Sequence, residues 1–158
     1  MAEERKGRLQ GRVAIVTGAG SQSPGIGNGR AAAVLFAHEG AQVALVDNVA
    51  SAAQDTLAMI ADEGGDTFIL EADVTQAADC RRVVEETVRR YGPVTMLHNN
   101  VGIDAPGSVV DADEAFWDKV MAVNVKSMML MSKYAVPVMA AAGGGSIVNI
   151  SSISALRP

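Results

Sequence analysis

The sequence predicts an α/β domain, built on a parallel sheet of about five strands with helices on both faces. Short β-rich runs alternate from end to end with helical patterns of ten residues or more. The runs are almost entirely apolar, which is typical of strands that are buried on both faces. Connections of this length join parallel strands by right-handed crossovers. We therefore expect a doubly wound sheet.

The elements follow in order along the chain. The predicted strands are residues 13–17, 43–46, 67–70, 94–97 and 146–150, and the predicted helices are residues 27–38, 50–63, 76–90 and 114–142. The third of these helices carries Cys80, Val83, Val84 and Val88 at helical spacing, so Cys80 is expected to be a small core residue. Pro137 lies inside the last helix and is expected to kink it or to end its regular part.

Composition excludes several classes of protein. The chain has 158 residues, and its net charge of −5 disfavours partners rich in phosphate, so neither nucleic acid nor a membrane is expected. The apolar run at residues 31–37 is far shorter than the ~18 residues of a membrane span. One cysteine and scattered histidines predict no disulfide framework and no metal site, and suit the cytoplasm. Residues 1–10 are expected to be a flexible N-terminus and residues 11–158 a single domain.

A glycine-rich turn between the first strand and the first helix is the strongest local signal. Residues 17–27 read TGAGSQSPGIG, with Gly18, Gly25 and Gly27 as the glycines of interest. Glycines at this place allow a tight turn and let the backbone and the helix N–H groups approach a pyrophosphate. An ordinary tight turn is the alternative. The turn indicates a Rossmann-type site for a dinucleotide.

Asp47 strengthens this interpretation. It ends the second strand 20 residues after Gly27, where an acid accepts hydrogen bonds from the adenosine ribose. Its charge repels a 2′-phosphate, and Asn48 offers no cation, so NAD is favoured over NADP. The alternative is that Asp47 is a solvated cap of the next helix.

Five motifs follow one another along the chain: Thr17-Gly18 with residues 25–27, Asp73-Val74, residues 99–102, Asn124, and residues 145–152. In type and order they resemble the short-chain dehydrogenase/reductase family, from about Leu9 to the end of the chain. The resemblance implies a cofactor-binding set consisting of Gly18, Ser21, Gly25, Ile26, Gly27, Asp47, Asp73, Val74, Asn100, Val101 and Gly102. Asp73 and Val74 correspond to the pair that contacts adenine, and residues 99–102 correspond to the NNAG motif. The family activity is hydride transfer between NAD(H) and a small alcohol or carbonyl substrate.

The resemblance also implies two catalytic residues and lacks two others. Asn124 corresponds to the asparagine of the family's catalytic tetrad, and Ser152 corresponds to its serine. No Tyr-x-x-x-Lys pair is present, because Thr95 and Val138 stand four residues after the two tyrosines. We therefore expect the chain to be an incomplete part of a dehydrogenase, with a sheet truncated after its fifth strand and little activity alone. The alternative is a non-catalytic nucleotide-binding or interaction module.

Three further expectations concern departures and neighbours of these motifs. Six residues separate Gly18 from Gly25 where the family usually has three, so Ser21, Gln22 and Ser23 either donate to the phosphates or only form a bulge. Val101 replaces the usual alanine, and His98 is expected to be a buried, hydrogen-bonded residue at a strand end.

The family's subunit contacts imply a homo-oligomer, a dimer or tetramer of the full-length protein, with Trp117, Met121 and Met128 as contact candidates.

Overall fold

Five parallel strands form one sheet in the computed structural model, which describes residues 7–21 and 25–153. The strands are β1 (Val13–Thr17), β2 (Gln42–Asp47), β3 (Thr67–Glu71), β4 (Met96–Asn99) and β5 (Ser146–Asn149). Their order in the sheet is β3-β2-β1-β4-β5. The chain adds β2 and β3 on one side of β1 and then adds β4 and β5 on the other side, so the strand order reverses between β1 and β4. The predicted doubly wound parallel sheet is confirmed.

Helices connect the strands on both faces of the sheet. They are α1 (Asn28–His38), α2 (Gln54–Asp62), α3 (Ala77–Tyr91), α4 (Glu114–Met121) and α5 (Ser127–Ala141). A 3₁₀ turn at Ala50–Ala53 precedes α2, and a π-helical turn at Ala122–Lys126 joins α4 to α5. Glycines with positive φ follow several helices, including Gly40 after α1 and Gly92 after α3, as expected where a helix stops at a left-handed residue.

The sheet separates two apolar cores. Alternate residues of β1 face opposite sides, so Ile15 packs with Val83 of α3 and Met131 of α5, whereas Val16 packs on the α1 and α2 side. All five residues of β1 are buried, and the four central residues of β2 are buried as well. The near-continuous apolar runs of the sequence are explained by this double covering. Cys80 is buried as expected, and burial raises the pKa of its thiol to about 11.

Two predicted elements differ from the structure. The fourth strand was expected at residues 94–97, but its ladder runs from Met96 to Asn99, because the polar His98 and Asn99 pair with β1 and β5. The last predicted helix is interrupted by the π-helical turn at Ala122–Lys126. It does not end at Pro137, which lies inside α5, because α5 continues to Ala141.

Candidate functional site

A crevice opens at the carboxyl ends of the strands, at the place where the strand order reverses. Its volume is about 490 Å³, and its walls come from the ends of β1 and β2, the segments after β3 and β4, and α4. Doubly wound sheets bind their ligands at this position, because the loops leave the strands in opposite directions there. The structure brings Gly18 and Gly20 of the glycine turn, Asp47, Asp73 and the loop after β4 together around the crevice. Gly25, Ile26 and Gly27 are not part of the crevice lining.

The glycine turn leads into α1. Gly27 is the N-cap of α1 in extended conformation, and the described residues provide no side-chain cap for this helix. Gly25 has a φ of +111°, which favours glycine. A Cβ placed on Gly27 would meet no described atom within 4 Å. N–H groups that no described side chain caps are what an anionic group requires, so this end of α1 fits a pyrophosphate.

Gly29 has a different task, which the sequence motif did not reveal. A Cβ on Gly29 would lie 2.0 Å from the carbonyl oxygen of Gly18 and 2.6 Å from Nδ2 of Asn100. The absence of a side chain therefore lets α1 pack directly on the end of β1. Gly20 is similarly crowded, since its Cβ would lie 2.7 Å from the carbonyl carbon of Ala52.

Asp47 joins the glycine turn to the end of β2. Its Oδ2 accepts a hydrogen bond from the backbone N–H of Gly20 at 3.0 Å, and its Oδ1 accepts one from the N–H of Val49 at 3.1 Å. Val49 precedes the 3₁₀ turn, so this second hydrogen bond is close to the helix-cap role that the sequence left open for Asp47. A carboxylate has about four acceptor positions, and two remain for other donors.

Asp73 and Val74 form the floor of the crevice beyond β3. Val74 is buried, and Asp73 accepts hydrogen bonds at Oδ1 from the backbone N–H and the hydroxyl of Thr75. The backbone N–H of Asp73 donates to Asp79, whose pKa is lowered by the hydrogen bond from Arg82 and then by this N–H. The segment is thus fixed by its own turn and by the start of α3.

The segment after β4 crosses between β1 and α4. Thr17 links the end of β1 to the end of β4, because its hydroxyl accepts a hydrogen bond from the N–H of Asn100 at 3.0 Å. The side chain of Asn100 donates to the carbonyl of Gly18 at 3.1 Å, so it ties this segment to the glycine turn. Val101 is partly buried against the α3 and α5 core, and both Val101 and Gly102 line the crevice.

Asn124 lies in the π-helical turn between α4 and α5. Its Oδ1 accepts from the N–H of Ile103 at 2.8 Å, and its Nδ2 donates to the carbonyl of Ile103 at 2.9 Å. Such π-turns occur often at functional sites. One donor hydrogen and one lone pair of the amide remain for another partner.

Ser152 shares a second cavity with Asn124. This side cavity has a volume of about 480 Å³, and its walls include Gly102, Met128 and Asn149. It shares residues 100–103 with the crevice, so the segment after β4 borders both spaces. The two expected catalytic residues are therefore brought to one cavity next to the expected cofactor site.

Outcomes for the other expectations are mixed. Ser21 donates its backbone N–H to Ala52 at 3.2 Å, whereas Gln22 and Ser23 lie outside the described residues. Ile26, in the glycine turn, is 63% exposed. His98 is buried as expected, but the expected hydrogen bond is wrong: neither ring nitrogen has a partner among the described residues, and the ring packs edge-to-face on Phe36.

Met128 faces the side cavity, whereas Trp117 and Met121 are exposed.

The sequence interpretation also missed Arg30 and Thr56. Both are buried and hydrogen-bonded to each other beneath the glycine turn. An arginine among the alanines of an apolar helix was the available signal.

Comparisons with known proteins agree with this arrangement. The family described as short chain dehydrogenase matches residues 12–158. An uncharacterized oxidoreductase of Thermotoga maritima is 43% identical over 94% of this chain. The chain belongs to the short-chain dehydrogenase/reductase family.

Members of the family with solved structures share the fold closely. A protein from Burkholderia xenovorans, described as a short-chain dehydrogenase/reductase, superposes with a TM-score of 0.94 at 48% identity, over 96% of this chain and 60% of its own. A 2,5-dichloro-2,5-cyclohexadiene-1,4-diol dehydrogenase of Sphingobium indicum is 38% identical over 96% of this chain.

The chain spans only part of the family members that it matches. It covers 56% of the Thermotoga oxidoreductase and 58% of the Sphingobium dehydrogenase. Across the described residues, we find no helix with both the length and the apolar character that crossing a bilayer demands.

Proposed function

We propose that this chain is the cofactor-binding part of an NAD-dependent oxidoreductase, which transfers hydride between NAD(H) and an alcohol or carbonyl substrate. The observation that carries the proposal is the position of Asp47, which lines the crevice and accepts a hydrogen bond from Gly20 of the glycine turn. Its remaining acceptor positions suit the two ribose hydroxyls of NAD, and its charge opposes the 2′-phosphate of NADP. Lys119 is a cation in the crevice lining, and it comes from α4. The strand before α4 is β4, and β1 lies between β4 and β2, the strand that Asp47 ends.

The remaining site residues have roles that follow from their places. The N–H groups at Gly25, Ile26 and Gly27 would hold the pyrophosphate, and Asp73 with Val74 would hold the adenine. Asn100, Val101 and Gly102 would border the rest of the cofactor. When bound, the cofactor supplies the hydride donor or acceptor. Ser152 would donate a hydrogen bond to the substrate oxygen, and the free capacity of the Asn124 amide would hold a water.

The sequence contains no Tyr-x-x-x-Lys pair to transfer the proton. Tyr91 donates to Asp66 at 2.7 Å, and burial raises the pKa of its phenol, which is the opposite of what a phenolate base needs. The loss of a positioned acid or base costs about 10²–10⁴ in rate. We therefore expect cofactor binding without appreciable turnover from these 158 residues alone. A non-catalytic nucleotide-binding module remains the alternative.

A second copy of the protein is the proposed partner. Trp117 and Met121 of α4 are 57% and 41% exposed, and Met129 of α5 is 53% exposed. Exposed apolar side chains on consecutive helices are typical of a subunit contact. The Met121→Glu variant should then elute as a smaller species than the unmodified protein, and an unchanged elution volume would contradict the contact. The cytoplasmic location stays a prediction.

Titration with the two reduced cofactors tests the cofactor proposal. We expect NADH to bind more tightly than NADPH by about tenfold or more, a difference of roughly 1.4 kcal/mol. The Asp47→Asn variant should bring the two dissociation constants closer together, because it removes the charge that faces the 2′-phosphate.

Asp62→Asn is the matched control, since Asp62 ends α2 outside the crevice lining. It should leave both constants unchanged. Tighter binding of NADPH by the unmodified chain would contradict the NAD preference, and binding of neither cofactor would contradict the proposed function.

A further inference from the structure

Arg30 is a buried arginine that none of the cofactor motifs includes. It lies in the first turn of α1, and its side chain is only 8% exposed. Withdrawing a guanidinium from water costs several kcal/mol unless its donors are satisfied. The carboxylate nearest to it in the described structure, Asp55 at 3.4 Å, is itself 80% exposed. The position of Arg30 therefore depends on its other hydrogen bonds.

These bonds join the glycine turn to the start of α2. Nη1 donates to the carbonyl of Gly25 at 3.2 Å, and Nη2 donates to the carbonyl of Ala52 at 3.4 Å. Nε donates to the hydroxyl of Thr56 at 3.1 Å. The planar guanidinium thus spans three acceptors from three segments, a geometry that a lysine ammonium cannot reproduce.

The same partners hold the other end of the glycine turn. The hydroxyl of Thr56 donates to the carbonyl of Ala19 at 2.8 Å. The carbonyl of Ala52 accepts from the N–H of Ser21 at 3.2 Å. Ala19 and Ser21 precede the middle of the turn and Gly25 follows it, so both ends are fastened to Arg30, Ala52 and Thr56. We call this group the Arg30 clamp.

We propose that Arg30 is a positioning residue for the pyrophosphate of the dinucleotide, acting through the glycine turn that it clamps. The inference rests on the proposed cofactor function and deepens it. Backbone groups that are already held in place lose less conformational entropy when a ligand binds. The Arg30 clamp fixes the ends of this turn before the ligand arrives, which lowers the cost of binding.

The charge of Arg30 adds to this effect. Arg30 lies three residues after Gly27, the N-cap of α1, where uncapped N–H groups already favour an anion. A fixed cation in a protein interior acts on neighbouring charges more strongly than one in water. The Arg30 clamp therefore favours ligands that carry the pyrophosphate and makes no difference to the adenosine part, which Asp47 and Asp73 would hold.

Two ligands separate the positioning role from a general structural role. ADP-ribose carries the pyrophosphate and adenosine does not, so their dissociation constants are measured side by side by NMR titration of the unmodified chain and its variants. The variants are Arg30→Met, Arg30→Lys and Thr56→Val. The control is Arg81→Met, which removes an exposed arginine paired with Glu85 on α3.

We expect Arg30→Met to weaken ADP-ribose binding by about tenfold or more and to leave adenosine binding within about twofold. Arg30→Lys should give an intermediate loss, because it keeps the charge but not the three-way contact. Thr56→Val should also weaken ADP-ribose selectively, and Arg81→Met should change neither constant.

Equal weakening of both ligands, or unchanged ADP-ribose binding by Arg30→Met, would overturn the proposal. If Arg30→Met fails to fold, as judged by its thermal unfolding, Arg30→Lys and Thr56→Val decide by the same criterion. Binding of neither ligand by the unmodified chain would contradict the proposed function, and the role of Arg30 would fall with it.

Discussion

The two halves of the sheet differ sharply in how much of them is covered. Each residue of β1 is buried, whereas three of the four residues of β5 are exposed and Ile147 is partly buried. On the β3-β2-β1 side, side chains such as Asp47, Thr56 and Arg30 tie the loops together. On the β4-β5 side, Asn124 and Ser152 line an open cavity. The proposed adenosine binding and the proposed substrate chemistry therefore fall on regions that are buried to different extents.

The largest expected effect comes from the glycines of the well-covered half. Gly29→Ala places a Cβ 2.0 Å from the carbonyl oxygen of Gly18, so it should lower the free energy of unfolding by about 3 kcal/mol. Gly27→Ala is the matched change, because its Cβ meets no described atom and its φ is −72°. It should leave the unfolding free energy nearly unchanged and weaken NADH binding.

Chemical denaturation and NADH titration of both variants check this contrast. Equal stability of the two variants would show that α1 does not pack on β1 as described. Normal NADH binding by Gly27→Ala would show that the end of α1 is not the pyrophosphate site.

A smaller effect compares β1 with β5 directly. Val16 and Val148 pair with His98 from opposite sides, yet Val16 is fully buried and Val148 is 44% exposed. Val16→Ala should cost about 2 kcal/mol of unfolding free energy, and Val148→Ala less than about 0.5 kcal/mol. Similar losses, measured by urea denaturation, would mean that β5 is covered in solution as β1 is.

The smallest effect concerns His98, which lies between these valines. Burial lowers the pKa of His98 below its usual 6.5, so the unfolded state binds a proton more readily than the folded state. Stability should therefore be full above about pH 7 and fall as the pH drops through 6.5, by at most about 1.4 kcal/mol per pH unit until the folded pKa is reached.

His98→Leu should flatten this acid-side slope, because it removes the buried imidazole. A His98→Leu variant with an unaltered slope, measured by denaturation at several pH values, would contradict the account of the buried imidazole.

The sequence predicted what depends on local pattern. Alternating apolar runs fixed the order of strands and helices, and the glycine turn with Asp47 indicated the crevice. The start of β4 and the π-helical turn depend on pairing and packing between distant segments, which no local pattern records. The tasks of Gly29 and Arg30 were missed for the same reason: their partners, Gly18, Thr56 and Ala52, are distant in sequence.

We expect the well-covered half alone to bind the adenosine diphosphate part of the cofactor. Isothermal titration of the unmodified chain with NADH, ADP-ribose and nicotinamide mononucleotide measures this. ADP-ribose should bind within about tenfold of NADH, and nicotinamide mononucleotide should bind far more weakly than either. Binding of nicotinamide mononucleotide as tight as that of NADH, with none of ADP-ribose, would contradict it.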